Sequence, residues 1–470
     1  MKDDSAALSF LRSSLIPESP VFDNSGFLSW FGELRDSSAL RVRPIRFDEM
    51  DEWGFEPSTR NLVHDSGRFF RIEGLRVETN FGEDHHWDQP IINQPEIGIL
   101  GILAKRFGGI LHFLMQAKAE PGNINTLQLS PTVQATRSNY DQVHGGRVPD
   151  YLEHFIAAPV ERRLVDQLQT EQGSRFLKKR NRNMIVETLD EVPVLDGFRW
   201  LTLGEIKRLH RLENFVNMDA RSVISCIPFL DRKRGPAEIS EARGLAGFSK
   251  DLLESLHAED RAVHTMDTLL AWLTEMKTRF ELRTETIPLG DVRSWNITER
   301  AIAHESGRFF SVIAVDVEAG MREVARWTQP MLRDATAGHH GFITQKHKGV
   351  LHFLVQAKVE PGNVDVVDLA PTVSLSNTES RRATAQEFPF LGRFLDPRPD
   401  EIRYSAIQSE EGGRFFQFLN HNVTLEVGPS EVLDVPDYYT WMTLGQLLEF
   451  LRHGYLCVDA RTLLSCLSWT

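Results

Sequence analysis

HFLMQAKAEPGN at 112–123 returns as HFLVQAKVEPGN at 352–363 with ten of twelve residues unchanged, and this recurrence decides how the chain is built. The two strings are offset by 240 positions. The same offset carries HDSGRFF, from His64, onto HESGRFF, from His304, and Trp87-Asp-Gln-Pro onto Trp327-Thr-Gln-Pro. Further along, Leu129-Ser-Pro-Thr-Val meets Leu369-Ala-Pro-Thr-Val, QTEQGSRF at 169–176 meets QSEEGGRF at 408–415, and Asp219-Ala-Arg221 meets Asp459-Ala-Arg461. A repeat of half the chain is a domain, since solenoid units recur every 20–50 residues. The reading is therefore a tandem duplication: one module over 1–235, a second over 246–470, and a polar Pro- and Gly-containing linker at 231–244.

Within each module the apolar period changes. Leu252, Leu253, Leu256, Leu269, Leu270 and Leu273 recur at helical spacing over 250–281, matching the shorter run around Phe27, Leu28, Trp30 and Phe31. Short alternating runs such as GRFFRIEGLRVE and GGILHFLMQAKAE then read as strands. Thr202-Leu-Gly-Glu205 and Thr443-Leu-Gly-Gln446 have the spacing of capping boxes, so helices are expected to close each module. The expected fold class is α+β, each module a mixed sheet flanked by helices, with residue 112 superposing on residue 352.

Composition narrows the function. With 470 residues, 41% hydrophobic and 25% charged, the chain is too long for one core. Sixty-six acidic residues against 53 basic give a formal charge of −13, and no basic block stands out, which argues against a nucleic-acid partner. Cys226, Cys457 and Cys466 lack zinc or disulfide-framework spacing, and MKDDSAALSF lacks the regions of a signal peptide, so a cytoplasmic location is expected. No apolar run approaches the roughly 18 residues that cross a bilayer, so no membrane partner is expected.

Strand alternation over 112–120 puts His112, Leu114, Gln116, Lys118 and Glu120 on one face, which is either a solvated sheet surface or the floor of a polar pocket. The second copy keeps Gln356, Lys358 and Glu360 while its apolar face changes. RFLKKRNRNMIVE at 175–187 also reads as a strand, with Arg175, Lys179, Asn181 and Asn183 on a common face unless a bulge intervenes. The planar fork of Arg175 suits phosphate oxygens; a salt bridge to Glu171 is the alternative. Arg414 is its counterpart. Trp87 and Trp327 could stack on a base or simply pack. The modules differ after Pro-Thr-Val: the first presents Gln134, Tyr140, His144 and Arg147 around a Gly-Gly turn, whereas in the second Ser374 stands opposite Gln134 and the turn has no counterpart. The first pocket is thus expected to be the catalytic one. A P-loop, G-x-G-x-x-G, H-E-x-x-H and a nucleophile elbow are all missing. Adjacent His85-His86 and His339-His340 cannot both face one side of a strand, so no metal site is expected from them.

SPTVQATRSNY, HGGRVPDYLEHF and QTEQGSRFLKKRNRNMIVE resemble the NDP-hexose 2,3-dehydratase family of deoxysugar pathways, and the resemblance spans nearly the whole chain, duplication included. It implies a Nudix-like fold for each module and dTDP-4-keto-6-deoxy-D-glucose as substrate. The Nudix metal box is absent: Ser409-Glu-Glu-Gly-Gly413 lacks the preceding Arg-Glu pair. The implied chemistry removes the acidic C3 hydrogen beside the C4 ketone, expels the C2 hydroxyl and lets the enol tautomerise, with no cofactor consumed. Under that reading Lys118, Tyr140, His144, Arg147 and Glu171 are the catalytic candidates, with Lys118 or Arg147 on the C4 oxyanion and the identity of the base left open. Trp87, Gln116, Gln134 and Arg175 are expected to hold the nucleotide, with Lys358, Arg414 and Trp327 as second-module counterparts. A homodimer is the expected assembly. The competing readings are a non-catalytic sugar-nucleotide-binding protein and a Nudix-type pyrophosphate hydrolase.

Overall fold

The computed structural model of the chain describes residues 5–136, 148–229, 244–319, 325–334, 336–376 and 388–469. The linker expected at 231–244 lies almost wholly outside them. Each half contains a seven-stranded mixed sheet. In the first, the order is Arg163–Thr170, Arg180–Glu187, Gly98–Phe107, Ile110–Ala119, Phe198–Thr202, with Leu127–Ser130 and Val133–Ala135 pairing on the two central strands. Arg180–Glu187 runs parallel to Gly98–Phe107 and every other pairing is antiparallel. The central hairpin turns at Gly108 and Gly109, with φ of 57° and 82°, a conformation glycine adopts without steric cost.

The second half repeats this sheet in the same register. His112 sits opposite Thr202 and Lys105; His352 sits opposite Thr443 and Gln345. Both histidines are fully buried and held by a backbone carbonyl two residues back, Ile110 at 3.0 Å and Val350 at 2.9 Å. The capping boxes form as read: Thr202 Oγ1 accepts from the Glu205 amide and Thr443 Oγ1 from that of Gln446. The helical stretch expected over 250–281 is broken instead into Gly247–Leu256 and Met266–Arg279, the second matching Phe27–Ser37. Thr265, an N-cap whose side chain accepts from the Thr268 amide, restarts the helix.

Two smaller sheets cross the boundary between halves. Arg41–Ile45 pairs antiparallel with Ser311–Glu318, and its counterpart Leu282–Ile287 pairs with Arg71–Thr79. Each half therefore lends one strand to the other's sheet. An exposed arginine paired with a buried aspartate links the halves at both exchanges: Arg43 meets Asp316 at 2.7 Å and Arg293 meets Asp88 at 2.8 Å. Burial would raise the Asp88 carboxyl, but Arg293 and Arg76 outweigh it and hold it at about 2. One apolar core joins the two small sheets, drawing Ile45, Phe70 and Phe176 from the first half and Phe310, Phe415 and Phe418 from the second.

The closing helices Met218–Ser225 and Val458–Cys466 pack against each other between the large sheets. Their buried arginines reach across reciprocally. Arg221 donates to the Ser409 carbonyl and Arg461 to the Thr170 carbonyl, each at 2.6 Å. Carbonyls of the opposite half offset part of the cost of burying these charges, through the terminal nitrogens of each guanidinium. No helix among the described residues is long and apolar enough to cross a membrane.

Candidate active site

Lys118 emerges near the end of the strand Ile110–Ala119, where its Nζ donates to Gln134 Oε1 at 3.0 Å and lies 3.5 Å from Glu120. Gln134, on the short strand Val133–Ala135, is the hub. Its Oε1 also accepts from Asn217 at 3.3 Å, and its Nε2 donates to Asp219. Asn217 caps the helix that carries Asp219 in its first turn, a position where the helix dipole favours an anion. The face read as His112 to Glu120 is thus a pocket floor at its Lys118 end, whereas His112 at the other end is packed core.

The other half completes this cluster. The turn Glu120-Pro-Gly-Asn123 nests against Gly412, so Glu411 and Arg414 enter beside Glu120 and Asp219. Carboxylates outnumber cations there. Burial, then Glu411, Glu120 and Glu171, push Asp219 well above the usual carboxylate range. Burial and Glu120 push Glu411 up to about 7. Lys179, whose second-half counterpart is Phe418, is lowered by burial to about 8. Groups poised near neutrality in one cluster suit proton transfer at physiological pH.

The second cluster has the same plan and different chemistry. Lys358 Nζ donates to Glu360 at 2.7 Å and to Ser374 Oγ at 2.8 Å, and Ser374 Oγ donates to Asp459. His340 occupies the place of Leu100, each lying opposite its half's Gln134/Ser374 position, and its Nε2 is 3.6 Å from Asp459. Burial would raise Asp459, but His340, Lys358 and Ser374 outweigh it and hold it low, the reverse of Asp219. Gln172, Ser174 and Arg175 of the first half line this cavity.

Arg175 and Arg414 are therefore exchanged relative to the sequence grouping: Arg175 borders the second cluster and Arg414 the first. The guanidinium of Arg175 lies 4.3 Å from the Phe310 ring centroid, and that of Arg414 4.2 Å from Phe70. The salt bridge considered between Arg175 and Glu171 is not what forms; Asn181 donates to Glu171 at 2.7 Å, and Asp334 lies 3.6 Å from Arg175. The strand expected over 175–187 begins only at Arg180, because Lys178 takes φ of 50° and ends the alternation. Trp87 and Trp327 each donate to a glutamine two residues on, Gln89 and Gln329, at 2.8 Å, and pack against small apolar clusters. Those glutamines in turn hold the turns bearing the arginines, through Ser174 and Gly413 carbonyls. Gln116 is half-buried on the Lys118 strand. Tyr140, His144 and Arg147 lie outside the described residues. Asp219, Glu411 and His340 went unnoticed as site residues in the sequence; only the repeated Asp-Ala-Arg string marked the first.

The sequence matches the NDP-hexose 2,3-dehydratase family over residues 24–227 and 266–467, once in each half. A dTDP-4-dehydro-6-deoxy-alpha-D-glucopyranose 2,3-dehydratase of Saccharopolyspora spinosa is 46% identical over 461 residues, covering 97% of this chain and 94% of the relative. Proteins of the same name from Amycolatopsis orientalis and Streptomyces violaceoruber are 45% and 42% identical, covering 94% and 95% of this chain and 89% and 97% of their own lengths. The chain belongs to the NDP-hexose 2,3-dehydratase family.

Proposed function

We propose that the chain is a hydro-lyase that removes the C2 hydroxyl of dTDP-4-keto-6-deoxy-D-glucose, giving dTDP-3,4-diketo-2,6-dideoxy-D-glucose for deoxysugar and antibiotic biosynthesis. The observation that carries this reading is the family match in both halves, with relatives of that name aligned along nearly their whole length. The ketone at C4 acidifies C3–H, so a base forms an enolate and the C2–O bond then breaks with protonation of the leaving hydroxide. An ammonium aimed at C4–O stabilises the enolate most where solvent is excluded. Lys118 fits that task, being held by Gln134 and Glu120. Glu411 and Asp219 join Tyr140, His144 and Glu171 as proton-transfer candidates, Arg147 is with Lys118 a candidate for the C4 oxyanion, and Arg414 faces the same cluster from the other half.

On this reading the Lys118 cluster is catalytic and the Lys358 cluster, bordered by Arg175, is a vestigial sugar-nucleotide pocket. A Nudix-like fold for each module, a homodimeric assembly and a cytoplasmic location belong to the same proposal. Mass spectrometry of the keto sugar nucleotide after incubation tests the activity. Loss of one water is expected; release of a nucleoside phosphate would replace the lyase by a hydrolase, and an unchanged ligand would leave a binding protein. Light scattering at twice the 53.6 kDa chain mass is expected, and a monomer would refute the dimer.

A further inference from the structure

The strings QTEQGSRF at 169–176 and QSEEGGRF at 408–415 differ in charge at one place, where Gln172 in the first stands opposite Glu411 in the second. Each belongs to a turn seated on the other half, Gln172 beside Gly362 and Glu411 beside Gly122. In the second pocket the visiting Gln172 donates through Nε2 to the resident Glu410, whose other oxygen accepts from Asn420. The duplication sets up the same relation in the first pocket, with Glu411 as visitor and Glu171 as resident. Asn181 donates to Glu171 at 2.7 Å, as Asn420 does to Glu410, and Glu411 lies close enough to Glu171 for their charges to repel.

The second pocket therefore sets an amide against its resident carboxyl, and an amide neither takes nor gives a proton. The first sets carboxyl against carboxyl, and two such groups in an enclosed site do not both ionise. Burial raises the Glu171 carboxyl, and burial with Glu120 and Glu171 brings Glu411 up to about 7. Arg414 and the Gly413 amide, which donates to Glu411 at 2.8 Å, oppose that rise without reversing it. Asp219 and Lys179 face Glu411 from their own elements. Asn181 favours the charge on Glu171, which leaves the proton on Glu411. In a gluco-configured hexose C3–H and the C2 hydroxyl project from the same face of the ring, so one pair of neighbouring carboxyls reaches both.

We propose that Glu411 of the second half shares one proton with Glu171 in the first pocket and delivers it to the departing C2 oxygen, a step that Gln172 denies the second pocket. The inference rests on the dehydratase reading above. Glu171 takes the C3 hydrogen as a proton and its electron pair passes into the C4 enolate. The enolate collapses to a C2–C3 double bond as the C2–O pair leaves with oxygen, which takes the Glu411 proton and departs as water. The pair ends with one proton, now on Glu171, and a transfer between the two carboxyls restores the starting state.

The test compares the full wild-type chain with Glu411→Gln, which copies Gln172. Infrared titration of the ligand-free proteins is expected to show one protonated carboxyl fewer in the variant near pH 7. With the keto sugar nucleotide, kcat should fall by about 100-fold or more, the scale for losing a general acid, while KM changes by less than about tenfold. The variant should still exchange the C3 hydrogen with D₂O, since its base is intact. Wild-type kcat should decline as pH rises through about 7, where Glu411 loses its proton, and the variant should lack that decline. Should Glu411→Gln fold poorly, Glu171→Gln repeats the infrared test: relieved of its neighbour's charge, Glu411 should ionise at lower pH. A wild-type infrared titration in the folded variants, or wild-type kcat in folded Glu411→Gln, would overturn the shared proton. The infrared arm needs no turnover, so it decides the pair even where the keto sugar is left unchanged and the dehydratase reading fails.

Discussion

The Gly122 amide donates to the Gly412 carbonyl at 2.7 Å, and this contact fixes how the halves build a shared site. Its mirror, Gly362 to Gly173, is 2.6 Å. A Cβ added at Gly122 would sit 1.7 Å from the Phe415 carbonyl oxygen, and one at Gly362 would sit 1.8 Å from that of Phe176. No flexible side chain can yield there, because both obstacles are backbone. Gly122→Ala is therefore expected to cost about 3 kcal/mol, the upper end of overpacking, and to lower turnover by displacing Glu411 and Arg414. Gly54→Ala, which meets nothing within 4 Å, should change stability by less than about 0.5 kcal/mol. Equal melting temperatures for the two variants would refute the account.

Lys207 makes stability pH-dependent. It is 2% exposed, and burial pushes its ammonium down to about 8 although its Nζ donates to the Ser465 carbonyl. An unfolded lysine titrates near 10.4. Between those values the unfolded chain binds more protons, so stability should rise with pH from about 8 to about 10. Below pH 8 the buried charge costs roughly 3 kcal/mol at full value. Leu448 fills the corresponding place in the second half. Lys207→Met should flatten the slope of Tm against pH over that window relative to wild type. An unaltered slope would assign it to other groups.

Much of the fold was legible because duplication prints itself as matching strings, and period-two alternation located the central hairpins. What it could not reveal was which half each side chain serves. Arg175 and Arg414 sit in equivalent strings, and nothing local in either string says that its turn faces the opposite half. The exchanged strands Arg41–Ile45 and Leu282–Ile287 are hidden for the same reason: pairing partners are a tertiary choice. Adjacent histidines correctly argued that His339 and His340 do not share a face. That argument was silent about partners 70 or more positions away, and His340 meets Glu410 and Asp459.

Turnover should survive chelation. With enolate charge assigned to Lys118 and its neighbours, EDTA treatment is expected to leave turnover unchanged. Activity that returns only on adding a divalent ion would require a metal in the reaction itself.

The halves are expected to be unequal in catalysis, and two lysines related by the duplication decide it. Lys118 is linked through Gln134 to Asp219, whose carboxyl is raised by burial and by Glu411, Glu120 and Glu171. Lys358 is instead locked by Glu360 and by Ser374, whose hydroxyl also holds an ionised Asp459. The first arrangement favours a protonated carboxyl beside the lysine; the second favours a carboxylate held in an ion-pair network. Lys118→Met should lower kcat by about 100-fold or more, the scale for losing an oxyanion donor, with a smaller change in KM. Lys358→Met should leave kcat within about tenfold of wild type, the loss of an uninvolved ion pair being felt chiefly in stability. Circular dichroism must accompany the kinetics, because a fall in Tm large enough to unfold either variant would mimic a catalytic loss. Abolished turnover in folded Lys358→Met, with Lys118→Met tolerated, would move the catalytic centre to the cluster that contains His340.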